Sequence, residues 1–91
     1  MELYTKDGNP LQVYEDKVFS RSGNVVGRIK DKKVFGPNGR YVGTIIGEHL
    51  IYRSTDSAGI NPPFTCAKRS ASAKANRAKI AVWGDEPTIP A

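Results

Sequence analysis

The chain is predicted to be all-β, built from four consecutive β-hairpin repeats that share one core and followed by a basic C-terminal extension. Three observations carry this prediction. A twelve-residue pattern occurs twice, as Val18–Ile29 and Val34–Ile45, each copy running from an aliphatic-aromatic pair through a turn glycine to an aliphatic strand with a second glycine. Four aliphatic-aromatic pairs, Leu3-Tyr4, Val18-Phe19, Val34-Phe35 and Ile51-Tyr52, place their aromatics 15, 16 and 17 residues apart. Four residues beyond the first three aromatics stand Gly8, Gly23 and Gly39, and Asp56 occupies the fourth slot.

Each element follows from local chemistry. Asp7-Gly8 and Asn38-Gly39 are hairpin signals because the turn needs a positive φ where glycine sits, and Ser22-Gly23 is a weaker member of the set. Asp56 tolerates the same backbone region. Gly27 and Gly43, eight residues past their aromatics, interrupt strands, so a bend or a close approach of neighbouring units is expected there. The first unit has Gln12 in that slot. The polar connections Glu15-Asp16-Lys17, Lys30-Asp31-Lys32 and Ile46-Gly47-Glu48-His49 have the length that joins antiparallel strands. Strands are expected at 2–6, 10–14, 17–21, 25–30, 33–36, 40–46 and 49–53, with a short eighth near 57–60. A lone hairpin is marginal in water, so the four must pool apolar residues. Tyr4, Phe19, Phe35 and Tyr52 then occupy equivalent positions, and some of them join Leu11, Val26, Ile29, Val42 and Ile45 in the core.

This arrangement resembles the small bacterial four-fold β-flower domain over about residues 2–60. The resemblance implies hairpins around a pseudo-four-fold axis and a bacterial source, and it carries over no catalytic residues. The first unit departs from the pattern at Gln12 and the fourth at its turn position.

Residues 1–63 form the repeat domain in this reading, closed by Pro62-Pro63, which resist both helix and sheet ladder. Residues 64–91 form the extension. Ala71, Ala75, Ala78 and Val82 suit a short helix ending before Gly84 and Pro87, while the alternation of Ala71, Ala73 and Ala75 suits an extended arm. The helix is favoured. Ile80, Val82 and Trp83 are expected to anchor the extension on the body, with the sole tryptophan as the packing anchor.

At 91 residues the chain buries only roughly 60–65% of its unfolded surface, so the core must be small. Net charge is +5, from 14 basic and nine acidic residues. The excess is localised: Lys68, Arg69, Lys74, Arg77 and Lys79 stand in 65–84 without one acid. These five cations are the candidate contacts to nucleic acid or to an acidic protein partner. The segment 66–79 has no aromatic for base stacking, so any nucleic-acid contact would be to the backbone. Lys30, Lys32 and Lys33 could assist.

Reactive constellations are sparse. One histidine, His49, and one cysteine, Cys66, write no metal cluster and no nucleophile-base signature. Asp85 and Glu86 read as solvated or base-paired acids rather than a catalytic pair. No cofactor is expected. A single cysteine fits a reducing compartment, the first residues show no basic run leading into an apolar one, and no apolar run approaches the roughly 20 residues that span a bilayer. The expectation is a cytoplasmic, non-enzymatic interaction or structural module with an unknown protein partner. Nucleic-acid binding by the basic segment is the alternative, and an enzyme with a site at the pseudo-symmetry axis the second. A spare strand edge would also permit homo-oligomers.

Overall fold

The computed structural model describes residues 2–56, 60, 62–71, 75–78 and 80–89. Seven strands form in chain order: β1 Leu3–Thr5, β2 Pro10–Tyr14, β3 Lys17–Phe19, β4 Val25–Lys30, β5 Lys33–Phe35, β6 Tyr41–Ile46 and β7 His49–Ile51. Each pairs antiparallel with the next, and β7 returns to β1 to close a barrel. The closing pair is parallel, Tyr4 opposite His49 and Thr5 opposite Leu50. Parallel closure follows from the odd strand number, since the first and last strands of a seven-strand meander run the same way. Closure takes up the spare edge expected from the sequence, and with it the usual route to edge pairing. The molecule is a flattened disc of 32 × 31 × 20 Å.

Strand alternation sorts the aliphatic-aromatic pairs onto two faces. Leu3, Val18, Val34 and Leu50 are wholly buried and meet Leu11 and Val26 in the barrel interior, with Val13, Ile29, Val42 and Ile45 packed around them. The neighbouring residues Tyr4, Phe19 and Phe35 point to the outer face, yet remain 5%, 2% and 7% exposed. Something outside the barrel therefore covers them.

Register refines the repeat. Gln12 pairs with Phe19, Arg28 with Phe35 and Thr44 with Ile51, so Ile51, not Tyr52, holds the fourth aromatic slot, and Leu50 takes the aliphatic one. Gln12 likewise matches Arg28, not Gly27. The first petal is one residue shorter because it lacks the bulges that shift register at Val18/Phe19 and Val34/Phe35. Gly27 and Gly43 do sit at close approaches. A Cβ on Gly27 would stand 2.4 Å from the Phe35 carbonyl oxygen, and one on Gly43 2.9 Å from Leu50 Cδ1.

The petal tips carry positive φ at Gly8, Gly23 and Gly39 (91°, 95° and 83°). In the first two, a buried hydroxyl ties the tip, Thr5 Oγ1 and Ser20 Oγ each accepting the amide four residues on at 3.1 Å. Gly36 cannot do this. Asn38 Oδ1 takes over, accepting the Arg40 amide at 3.0 Å. The fourth tip differs: Ser54–Asp56 is a 3-10 turn, so Asp56 does not use the positive φ expected in the glycine slot. The two-residue turns lie between petals instead, at Glu15-Asp16, Asp31-Lys32 and Gly47-Glu48, and Asp31 and Lys32 both adopt positive φ (53° and 63°) without glycine.

The expected eighth strand falls largely on 57–59, outside the described residues, and Ile60 forms only an isolated bridge to Arg40. The fourth petal is completed from elsewhere. Tyr52 pairs antiparallel with Asp85 of the C-terminal extension, the two exchanging amide-carbonyl bonds of 2.8 Å.

Candidate functional site

The extension is a belt around the disc. No helix forms among the described residues of 64–91, which overturns the favoured helix. Extended chain wins because carbonyls at the petal tips satisfy its amides. Phe64 N donates to Pro37 O at 3.0 Å, Arg69 N to Gly23 O at 2.9 Å, Arg77 N to Gly8 O at 2.8 Å and Ile80 N to Lys6 O at 3.1 Å. The belt thus visits the third, second and first petals, then the fourth at Asp85. Arg69 and Arg77 are eight residues apart, and eight extended residues reach at most about 26–29 Å, a length suited to stepping from tip to tip of this disc.

Two of the five basic residues, Arg69 and Arg77, lie on rings of the barrel's outer face. Arg77 lies over Tyr4 with its guanidinium carbon 4.5 Å from the centroid. Arg69 lies over Tyr14 at 4.6 Å and Phe19 at 5.6 Å. Each exposed contact of this kind contributes about 0.5–1 kcal/mol. Arg77 also bonds Glu48 at 3.2 Å, and the Tyr4 phenol, with Glu48 behind it, holds the guanidinium above its ordinary pKa. A third contact uses the opposite polarity: Phe64 of the belt is flanked by Arg28 at 5.0 Å and Lys17 at 5.7 Å. Lys68 is exposed. Lys74 and Lys79 lie outside the described residues.

Side chains of the barrel reach the belt's backbone in turn. Gln12 Nε2 donates to Ser70 O at 2.8 Å, and its register equivalent Arg28 donates to Pro62 O at 3.3 Å. Lys6 Nζ donates to Gly84 O at 2.6 Å. None of these roles is marked by a motif, because a side chain bonding a distant carbonyl can be any long donor.

The last described residues lock the belt. Glu86 accepts three bonds at the first tip, from Thr5 Oγ1 at 2.8 Å, Asp7 N at 2.9 Å and Asn9 Nδ2 at 2.9 Å. Pro87 is buried and Ile89 packs on the core. Glu86→Ala is expected to lower stability by about 2–3 kcal/mol, since charge-assisted bonds are lost and the buried Thr5 hydroxyl proton loses its acceptor. Chemical denaturation of both proteins checks this. Trp83 is not the buried anchor expected: it is 58% exposed, with Arg53 over its ring at 5.4 Å. Backbone pairing, Pro87 and Ile89 hold the belt in its place.

Reactive groups are scattered. Cys66 is half-buried in the belt, its thiol 3.6 Å from Ala67 O. His49 lies beside the Tyr4 ring at 6.3 Å, and its buried Nε2 has no hydrogen-bond partner among the described residues. No contact among the described residues joins Cys66 to His49, and no group of three or more metal-ligating side chains occurs among them. Asp85 and Glu86 face different petals. A cavity of about 550 Å³ opens between the belt and the first two petals, lined by Thr5, Asn9, Ser20, Arg21, Asn76 and Glu86 among others. Glu86 and Asn9 already bond each other there. No helix is long and apolar enough to cross a membrane among the described residues.

A closed meander barrel girdled by its own C-terminal segment defines a small β-repeat domain. The chain belongs to the 4-fold beta flower protein family, whose model matches residues 1–83. That match runs through the barrel and along the belt to Trp83. No curated protein and no solved structure matches the chain significantly.

Proposed function

We propose that this β-flower domain is a non-enzymatic interaction module of the bacterial cytoplasm, presenting its inter-petal turns to a protein partner. The observation that supports this most is the use of Arg69 and Arg77: both guanidinium groups lie on the barrel's own rings. Both residues stay exposed, but their stacking gives them a role in holding the belt that needs no phosphate. The apolar filling of the barrel interior among the described residues supports a structural over a catalytic reading, and the half-buried thiol of Cys66 suits a reducing compartment.

The charged turns Glu15-Asp16, Asp31-Lys32 and Gly47-Glu48 lie between petals and are exposed. All three carry an acid, and the middle turn also holds Lys32 and is flanked by Lys30 and Lys33. A surface of alternating sign favours a specific protein face over a polyanion. Five phosphate contacts would give a log-log salt slope of roughly −4 to −5 on duplex DNA. Measured with labelled single- and double-stranded nucleic acid, binding at physiological salt is expected to be absent. A photo-crosslinker at Lys32 is expected to capture a protein that one at Lys68 does not. Salt-sensitive nucleic-acid binding with a slope steeper than about −2 would replace this reading with the electrostatic one, and turnover lost in Cys66→Ala or His49→Ala would replace it with an enzyme.

A further inference from the structure

The chain's one tryptophan stands 58% exposed beside a cavity of about 230 Å³, which it lines together with Tyr52, Ser54, Gly84 and Asp85. The backbone sets this arrangement. Tyr52 and Asp85 exchange both amide-carbonyl bonds at 2.8 Å. Between Trp83 and Asp85, Gly84 turns at a φ of 128° and passes so close to β7 that a Cβ would stand 2.4 Å from Ile51 Cγ2 and 2.8 Å from Tyr52 O. Trp83, Tyr52 and Asp85 are thereby brought around one space by a ladder pair and a turn.

The chemistry of that space is one-sided. Two aromatic residues, a serine and Asp85 line it with Gly84, and no cationic residue does so among the described residues. The Asp85 carboxylate has no hydrogen bond or ion pair with the described residues. Aromatic faces carry negative electrostatic potential and attract cations. The Trp83 ring already does so, since Arg53, which does not line the cavity, keeps its guanidinium carbon 5.4 Å from the ring centroid. The volume lies below the ~300–1,000 Å³ of drug-sized sites, which leaves room for one small headgroup.

We propose that this cavity binds an alkylated ammonium group, of the kind carried by a methylated lysine side chain or a free choline-like molecule. Such a cation donates no strong hydrogen bonds, so it needs none from the walls. It sheds water more readily than a primary ammonium, and aromatic faces backed by a carboxylate supply what it does attract. A phosphate or carboxylate ligand would face Asp85, while Arg53 beside the space is already engaged by the Trp83 ring and, through Nε, by the Trp83 carbonyl at 3.3 Å.

Trp83 reports directly on its own site, because no other tryptophan contributes to the emission. The intact protein is titrated with choline chloride, with a short peptide carrying one trimethyllysine, and with the neutral carbon isostere of choline, in which a tert-butyl group replaces the trimethylammonium. Ionic strength is held constant. A saturable emission change is expected for a cation at concentrations on the order of millimolar, with the isostere at least about tenfold weaker. Tighter binding of the peptide assigns the headgroup to a protein partner, and tighter binding of choline assigns it to a small molecule. Asp85→Asn, which retains the backbone pair with Tyr52, is expected to weaken cation binding about fivefold without lowering the melting temperature. Equal binding of choline and its isostere would overturn the proposal, and so would a linear, unsaturated response to both cations. Both controls use the unmodified protein, so a failure of the variant to fold would not protect it.

Discussion

Gly8→Ala and Gly23→Ala are each expected to lower stability by about 3–5 kcal/mol, at the upper end of single-substitution effects. Two costs add at these tips. A non-glycine residue at φ near +90° is strained by about 1–2 kcal/mol, and the new Cβ would overlap the belt, with the Arg77 carbonyl oxygen 1.8 Å away at Gly8 and the Arg69 carbonyl oxygen 1.8 Å away at Gly23. The obstacle is backbone, which cannot rotate aside as a side chain would. The belt must lift from the tip, breaking the amide bond to Gly8 O or Gly23 O and drawing the arginine off its ring. Gly47→Ala separates the two costs, since its φ is +60° but nothing lies within 4 Å of its Cβ. It should cost only about 1–2 kcal/mol. For a domain of this size each kcal/mol lowers the melting temperature by roughly 4–8 °C, so the two classes separate clearly in thermal melts followed by circular dichroism. Equal shifts for Gly8→Ala and Gly47→Ala would show that the belt contributes nothing at that tip.

Ending the chain at Phe64 is expected to abolish cooperative unfolding. The total stability of a domain this small is only about 5–13 kcal/mol. Truncation uncovers Tyr4 and Phe19 on the outer face, removes Ile89 from the core cluster and removes the Asp85 strand partner of Tyr52. Large apolar side chains lose about 1.5–3 kcal/mol each when burial is lost, so the sum approaches the whole stability. A chain ending at Trp83 keeps Arg69 and Arg77 on their rings but loses Asp85, Glu86 and Ile89, and it should fall between. Dispersed amide resonances and a sharp melt in the chain ending at Phe64 would show that the barrel stands without its belt, and the belt would then be an appendage.

The strength of the belt also bears on the two functional readings. If tip glycines and belt prove inseparable from folding, Arg69 and Arg77 are structural residues in a basic-looking segment. The same residues, read only as charge, suggest a nucleic-acid arm. Net charge counts side chains without regard to what they face, and here the guanidinium groups face tyrosine and phenylalanine rings.

The sequence by itself determined the seven strands, most within one or two residues of their observed ends, and the glycine tips between them. These signals are local: a glycine where φ must be positive, alternation along a strand, and a second glycine where Phe35 or Leu50 comes close. Closure of β1 on β7, the displacement of Tyr52 from the aromatic slot by Ile51, the extended belt and the lock at Glu86 were decided only in the tertiary structure. Each depends on partners far apart in the chain, such as Glu86 with Thr5 or Arg77 with Gly8, and most act through backbone amides and carbonyls that every residue possesses. An alanine-rich segment prefers helix when alone. Wrapped around the petal tips, the extended segment donates amides to their carbonyls and lays its arginines on the outer-face rings, and those partners are absent from the local sequence.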